Sequence, residues 1–200
     1  MSQPDKMAPL IRSLCDAEIA RREKSAAEIF RLGSETARSA AAKWLADPDL
    51  ASLFVIHDSQ FPETTVGLAV EPENFERIRS ANGSPRLADV PPDQDAREFE
   101  LHFPRGVQLD ILTTQQKDGT GAIARYLKKF GEGIQQIELL TRDVDRATEI
   151  LRERFHIEPV YPVTRAGADG TRVNFFLASA PTGKKVLIEL VEAAAHSKPE

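Results

Sequence analysis

Along five stretches of the chain, polar residues alternate with apolar ones, the spacing by which a β-strand sends successive side chains to opposite faces. From Arg97 to Phe103, Glu98, Glu100 and His102 stand opposite Phe99, Leu101 and Phe103. Gln108 and Asp110 oppose Leu109 and Ile111, and Gln136 and Glu138 oppose Ile137 and Leu139. Arg172 and Asn174 oppose Val173 and Phe175, and Glu189 opposes Ile188 and Leu190. If these polar faces converge, one concavity holds them all. Several carboxylates gathered there cannot all remain ionised away from water without compensation. A bound cation, Arg172, a raised carboxyl pKa or access of water can supply it. The alternative is a set of solvated strand faces, as one side of an antiparallel sheet often is.

The elements that must carry these residues fall into a repeated order. From Gly131 to Glu192 the pattern is strand, helix, then three strands: Ile134 to Leu140 is extended and apolar, and Asp143 caps a helix with Ala147, Ile150, Leu151 and Phe155 at helical spacing. Val160 to Val163, Thr171 to Leu177 and Val186 to Val191 are β-rich, separated by turn clusters at 166–170 and 181–183. Thr64 to Thr114 repeats the order. There the expected elements are a strand over Val66 to Val70, a helix over Glu73 to Ser80, a weak strand near Arg86 to Val90, and strands over Ala96 to Phe103 and Val107 to Thr113. A period of about 70 to 80 residues with shared element order marks a two-module repeat.

The run GTGAIARYLKKFGEGIQQIELLTRDVDRA, followed by PVTRAGADGTRVNFF and GKKVLIELVE, resembles the second half of methylmalonyl-CoA epimerases of the glyoxalase, or vicinal-oxygen-chelate, superfamily. The resemblance spans residues 64 to 192. It implies an α+β fold of two βαβββ modules whose sheets surround a divalent metal held by two His and two Glu or Gln. Here it places Thr65 and Gln136 where the family has His, so both imidazoles are gone, while Asp110 and Glu189 retain the carboxylate positions. It also places a catalytic carboxylate at Glu98, which with Glu189 would form the acid/base pair of an epimerase, isomerase or lyase acting on an acyl-CoA or oxo acid. Oxygen ligands without imidazole would turn metal preference from zinc or cobalt towards magnesium, manganese or calcium.

Two readings follow. One is a binding protein whose acidic cup takes a small organic ligand with no metal or an altered one, contacted by Glu100, His102, Gln108, Glu138, Arg172 and Asn174. The other is an epimerase-like enzyme using a divalent metal (magnesium, manganese, cobalt or zinc) with Glu98 and Glu189.

Residues 1–56 form the expected N-terminal helical arm, with a paired-module domain over 57–192, a linker helix over 122–130 and a disordered tail over 193–200. In the arm, Ile11, Leu14, Cys15, Ile19, Ala26, Ile29 and Phe30 form a stripe from about Met7 to Leu32, Gly33 stops that helix, and Ser34 caps a second one running past Trp44 to about Ala46. The arm either packs on the chain's own sheet or serves as a dimerisation surface, and a homodimer is expected. His57 lies where it could replace a missing imidazole, but a surface role fits a loop histidine better. The DGTG at 118–121 lacks the Lys and Ser or Thr of a P-loop, and fits the lead into the linker helix. Arg165 and Lys184 could hold a ligand's anion or be ordinary surface charge.

A net charge of −5 with scattered basic residues gives no footprint for nucleic acid or an anionic membrane. The lone Cys15 allows no intrachain disulfide and fits a reducing cytoplasm. No apolar run nears the ~20 residues that span a bilayer.

Overall fold

A computed structural model describes residues 3–56, 61–116, 119–179 and 185–193. The architecture is α+β, with an N-terminal helical part ahead of the strands. The helices are α1 (Gln3–Ser13), α2 (Ile19–Leu45), α3 (Pro48–Leu53), α4 (Pro72–Ala81), α5 (Ala122–Phe130) and α6 (Val144–Phe155). The strands are β1 (Thr64–Ala69), β2 (Ala96–Phe103), β3 (Val107–Thr114), β4 (Gly133–Thr141), β5 (Arg165–Ala166), β6 (Arg172–Ser179) and β7 (Lys185–Glu192). No described helix is long and apolar enough to cross a membrane. Two compact units share these elements: Met1–Glu35 with Thr65–Ile137, and Thr36–Thr64 with Glu138–Glu200.

In the first unit β3 lies between β2, antiparallel to it, and β1, parallel to it. One face of these strands is apolar: Val66, Leu68, Phe99, Leu109 and Ile111 have no exposed surface. Against it lies α4, whose Phe75 meets Phe99 edge to face with ring centroids 4.8 Å apart. Burying one such side chain contributes about 1.5–3 kcal/mol. The guanidinium of Arg97 stacks on Phe75 and bonds Glu76 at 2.7 Å. The α4 N-terminus has no cap from its own Glu71 side chain. Glu132 supplies it, accepting from the Glu71 amide at 2.9 Å and from the Asn74 side-chain amide at 2.7 Å. The opposite face of the strands is closed at one end by α5. Ile123 and Leu127 pack there with Ala69, Ala96 and Leu112. The Tyr126 hydroxyl donates to the Ile134 carbonyl at 2.8 Å.

The expected strand near 86–90 does not form. Gly83 and Ser84 take left-handed backbone, Pro85, Pro91 and Pro92 bracket the segment without amide protons, and a single ladder-like bond remains from the Ala88 amide to the Glu98 carbonyl.

In the second unit, β6 pairs antiparallel with both β7 and β5. The short strand expected at Val160 to Val163 is displaced: Pro159 bridges Phe176, the Val160 amide donates to the Phe175 carbonyl, and the strand proper is Arg165–Ala166. Val144, Ala147, Ile150 and Leu151 form the buried face of α6, and Asp143 caps it through the Arg146 amide. Trp44 packs edge to face on Phe176 with centroids 6.2 Å apart.

The helical arm departs from its expected outline. The break falls at 14–18, where the Asp16 carboxylate accepts from the Glu18 amide and the Asp16 carbonyl from Arg22, rather than at Gly33. Ile19 is 62% exposed, so it drops out of the buried stripe. The helix runs unbroken through Gly33, because this glycine serves an approach and not a stop. A Cβ there would lie 2.6 Å from Val66 Cγ2 and 3.0 Å from Ile137 Cδ1. The helix gives up about 1 kcal/mol of propensity at a glycine, and gains contact with β1 that any side chain would block. The helix ends at Leu45, and the Asp47 side chain then begins α3 by accepting from the Asp49 and Leu50 amides.

Gly33→Ala should therefore destabilise the chain by ~1–3 kcal/mol through overpacking, although alanine is the better helix former. Urea unfolding followed by circular dichroism measures it, and adding Val66→Ala should return part of the loss by making room.

Candidate functional site

Cross-strand neighbours share a face. On β2 and β3 the register Glu98↔Leu112, Glu100↔Asp110 and His102↔Gln108 brings Glu98, Glu100, His102, Gln108 and Asp110 onto the polar face of the first unit. Gly67 is the β1 partner of Asp110. The Thr65 hydroxyl donates to Gln108 Oε1 at 3.1 Å. Gln136, from the first half of β4, lies over Gly67, for a Cβ on that glycine would meet Gln136 Cγ at 2.5 Å. Gly67 thus sits between Asp110 on one side and Gln136 on the other. This glycine was not singled out in the sequence, although an isolated glycine within the apolar run VGLAV is the signal of a close approach.

Burial divides the group. Asp110 is 5% and Gln136 8% exposed, beside the apolar end that α5 closes. Glu98 and Gln108 are half-buried. Glu100 and His102 bond each other at 2.9 Å with side chains 58% and 61% exposed, an edge-strand pair that solvent screens to little energetic worth.

The second unit corrects the expected grouping. Phe175 stands opposite Glu189 across β6 and β7, whereas Asn174 stands opposite Leu190 and Arg172 opposite Glu192. Glu189 therefore shares its face with Phe175, Leu177 and Leu187, and Arg172 and Asn174 point to the other. Alternation within each strand is as expected; the phase of β6 against β7 is what sequence does not show. Glu138 is half-buried on β4, on the opposite side of that strand from Leu139. Asn174 is fully buried, its Oδ1 accepting from the Phe175 amide and its Nδ2 without a hydrogen-bond partner among the described residues.

Arg172 is committed elsewhere. Its guanidinium pairs with Asp145, in the first turn of α6, and with Glu192 at 3.1 Å. Glu192 also accepts from the Val144 amide at 2.8 Å, so two carboxylates meet the positive end of α6 and Arg172 ties them together. A hydrogen bond from Thr164, then one from Arg172, hold the Asp145 carboxyl below the ordinary aspartate range. Arg165 lies over the Tyr161 ring at 4.4 Å. His57 and Lys184 lie outside the described residues. Of the 118–121 run, Gly121 closes on the Asp95 carboxylate, where a Cβ would come within 2.7 Å of Oδ2. That acid makes the loop a poor cradle for phosphate.

No protein-family model and no curated protein matches the chain. Solved structures do. Methylmalonyl-CoA epimerase from Mycobacterium tuberculosis is 30% identical, with 70% of this chain and 94% of that one covered and a TM-score of 0.54. The chain belongs to the vicinal-oxygen-chelate superfamily. A Streptomyces coelicolor methylmalonyl-CoA epimerase variant in complex with 2-nitronate-propionyl-CoA is 26% identical over 68% of this chain and 99% of that one, with a TM-score of 0.52. A methylmalonyl-CoA epimerase in complex with methylmalonyl-CoA and NH4+ is 27% identical over 70% and 99%, also with a TM-score of 0.52.

The donor set that the resemblance implies is altered at two positions in this chain. The resemblance puts Thr65 and Gln136 at its two imidazole positions. Thr65 already spends its hydroxyl proton on Gln108, and the Gln136 stem fills the space over Gly67. Among the described residues, no three His, Cys, Asp or Glu side chains come together in a group that could hold a metal ion.

The Asp145 shift fixes a direction for the acid limb of stability. Its folded pKa lies below the unfolded value of about 3.9, so its contribution is complete above that value and is lost as pH falls through the folded one. Asp145→Asn should flatten the fall of stability below about pH 4. At neutral pH it should cost ~1 kcal/mol or less, because the pair is largely solvent-screened. Urea midpoints between acid and neutral pH measure both effects.

Proposed function

We propose that the chain binds a small organic ligand of the acyl-CoA class on the polar face of its first unit, without the divalent metal of its relatives. One observation carries this reading. The two positions that should present imidazole hold Thr65 and Gln136, and each is built into a local contact, to Gln108 and over Gly67. Hydroxyl and amide groups recognise a carbonyl or thioester by hydrogen bonding, and are poor ligands for a soft or borderline divalent ion. The acyl-CoA class is supported by the similarity to epimerases solved with 2-nitronate-propionyl-CoA and with methylmalonyl-CoA. In this reading Gln136 offers its amide protons to a carbonyl oxygen, Asp110 accepts from a polar group of the ligand, and the Leu112 end of the face, covered by α5, receives the acyl chain.

The second reading is proton transfer next to a carbonyl. It draws on the same similarity and on the half-buried Glu98, which stands beside Leu112 on the polar face. A carboxylate so placed can remove a proton α to a thioester. An epimerase also needs a proton donor on the opposite side, the role the resemblance gives Glu189, and an electrophile at the developing enolate oxygen.

The two readings separate in a titration with methylmalonyl-CoA and propionyl-CoA by calorimetry, with chelator present and then with divalent ions added. The expected result is saturable binding unaffected by chelator, weakened about tenfold or more, over 1.4 kcal/mol, by Gln136→Ala. Proton NMR in deuterated water should show no exchange of the α-proton. Chelator-sensitive binding restored by one divalent ion per chain, or α-proton exchange abolished by Glu98→Gln, would overturn the binding reading and install the enzymatic one.

A further inference from the structure

A second feature of the first unit lies away from the residues discussed above. The opening turns of α2 and the tight turn between β2 and β3 enclose a groove of about 330 Å³, lined by Ala20, Glu23, Lys24 and Ala27 on the helix and by Phe103, Pro104 and Arg105 on the turn. This volume falls at the small end of the range for ligand sites.

Six arginines of the chain, Arg21, Arg31, Arg97, Arg146, Arg154 and Arg172, form ion pairs. Arg105 and Lys24, on facing walls, are exposed, and neither forms an ion pair or a side-chain hydrogen bond among the described residues. Glu23 is the acid on the wall. The Arg105 backbone is left-handed (φ 65°), a conformation unusual for arginine, and Gly106 follows it with φ 70°. Ala20 and Ala27 leave a shallow surface on the helix side of the groove, and the ring of Phe103 lines the turn side.

We propose that this groove is a separate ligand site for a small phosphorylated compound bearing a planar ring, of nucleoside monophosphate size. The phosphate sits between Arg105, whose fork matches its oxygens, and Lys24, which acts as a point charge. The ring lies between Phe103 and the alanines of α2. This site is independent of the ligand on the polar sheet face, and holds or fails by itself.

The experiment titrates the full chain, uniformly labelled with nitrogen-15, with AMP, adenosine and inorganic phosphate. Saturable amide shifts at Ala20, Lys24, Ala27, Phe103 and Arg105 are expected with AMP, and weaker ones with either component. Arg105→Gly keeps the left-handed turn while removing the cation, and Lys24→Ala changes an exposed helix position, so both variants retain the fold by circular dichroism. Each should weaken AMP about tenfold, as loss of a charge-assisted contact does, and Glu23→Gln should strengthen it. Absence of saturable shifts at these amides, or shifts that survive in the Arg105→Gly/Lys24→Ala double variant, would overturn the proposal.

Discussion

The first unit depends on two neighbouring residues of β1 being gripped from opposite sides. Val66 presses into the space that Gly33 leaves on α2, and Gly67, the next residue, accepts the stem of Gln136 on the other face. Strand alternation makes these two contacts a single constraint, since whatever seats Val66 against the helix also presents Gly67 to the polar side. A shift of β1 by one residue would place either Thr65 against the helix and Val66 against Gln136, or Gly67 against the helix and Leu68 against Gln136, losing both contacts. The close helix approach and the arrangement around Asp110 are thus fixed by the same register, and packing on one face determines chemistry on the other.

The superfamily fold is retained, and the resemblance puts Thr65 and Gln136 at its two imidazole positions. The replacement side chains take up the room, one bonded to Gln108 and the other laid over a glycine. Asp110 stays buried beside them, so the face keeps a carboxylate inside a largely apolar surround, where hydrogen bonds to a ligand are stronger than at an open surface.

Much of this was legible in the sequence, for physical reasons that also explain what was not. The helix α5 and the strand β2 have the expected limits, because their apolar periodicities of 3.6 and 2 are bounded by glycine or proline. The face shared by Glu98, Glu100, Gln108 and Asp110 follows from alternation within strands joined by a tight turn that also sets their register. The face of Arg172 and Asn174 relative to Glu189 depends on the pairing of β6 with β7, and no local pattern contains it. Gly33 reads as a helix stop when only the helix is considered. Its role appears once Val66, distant in sequence, is brought beside it. The segment 86–90 has strand-like composition, but its bracketing prolines leave too few amide protons for a ladder.

The Val144 amide waits for Glu192, from β7, to accept its proton. Arg172, between them in sequence, pairs with that same glutamate and with Asp145. On a ribosome the helix α6 emerges well before its partner on β7 does. The second unit therefore cannot close its electrostatic circuit until β7 has been synthesised, and its assembly waits for that strand rather than for the helix at its centre.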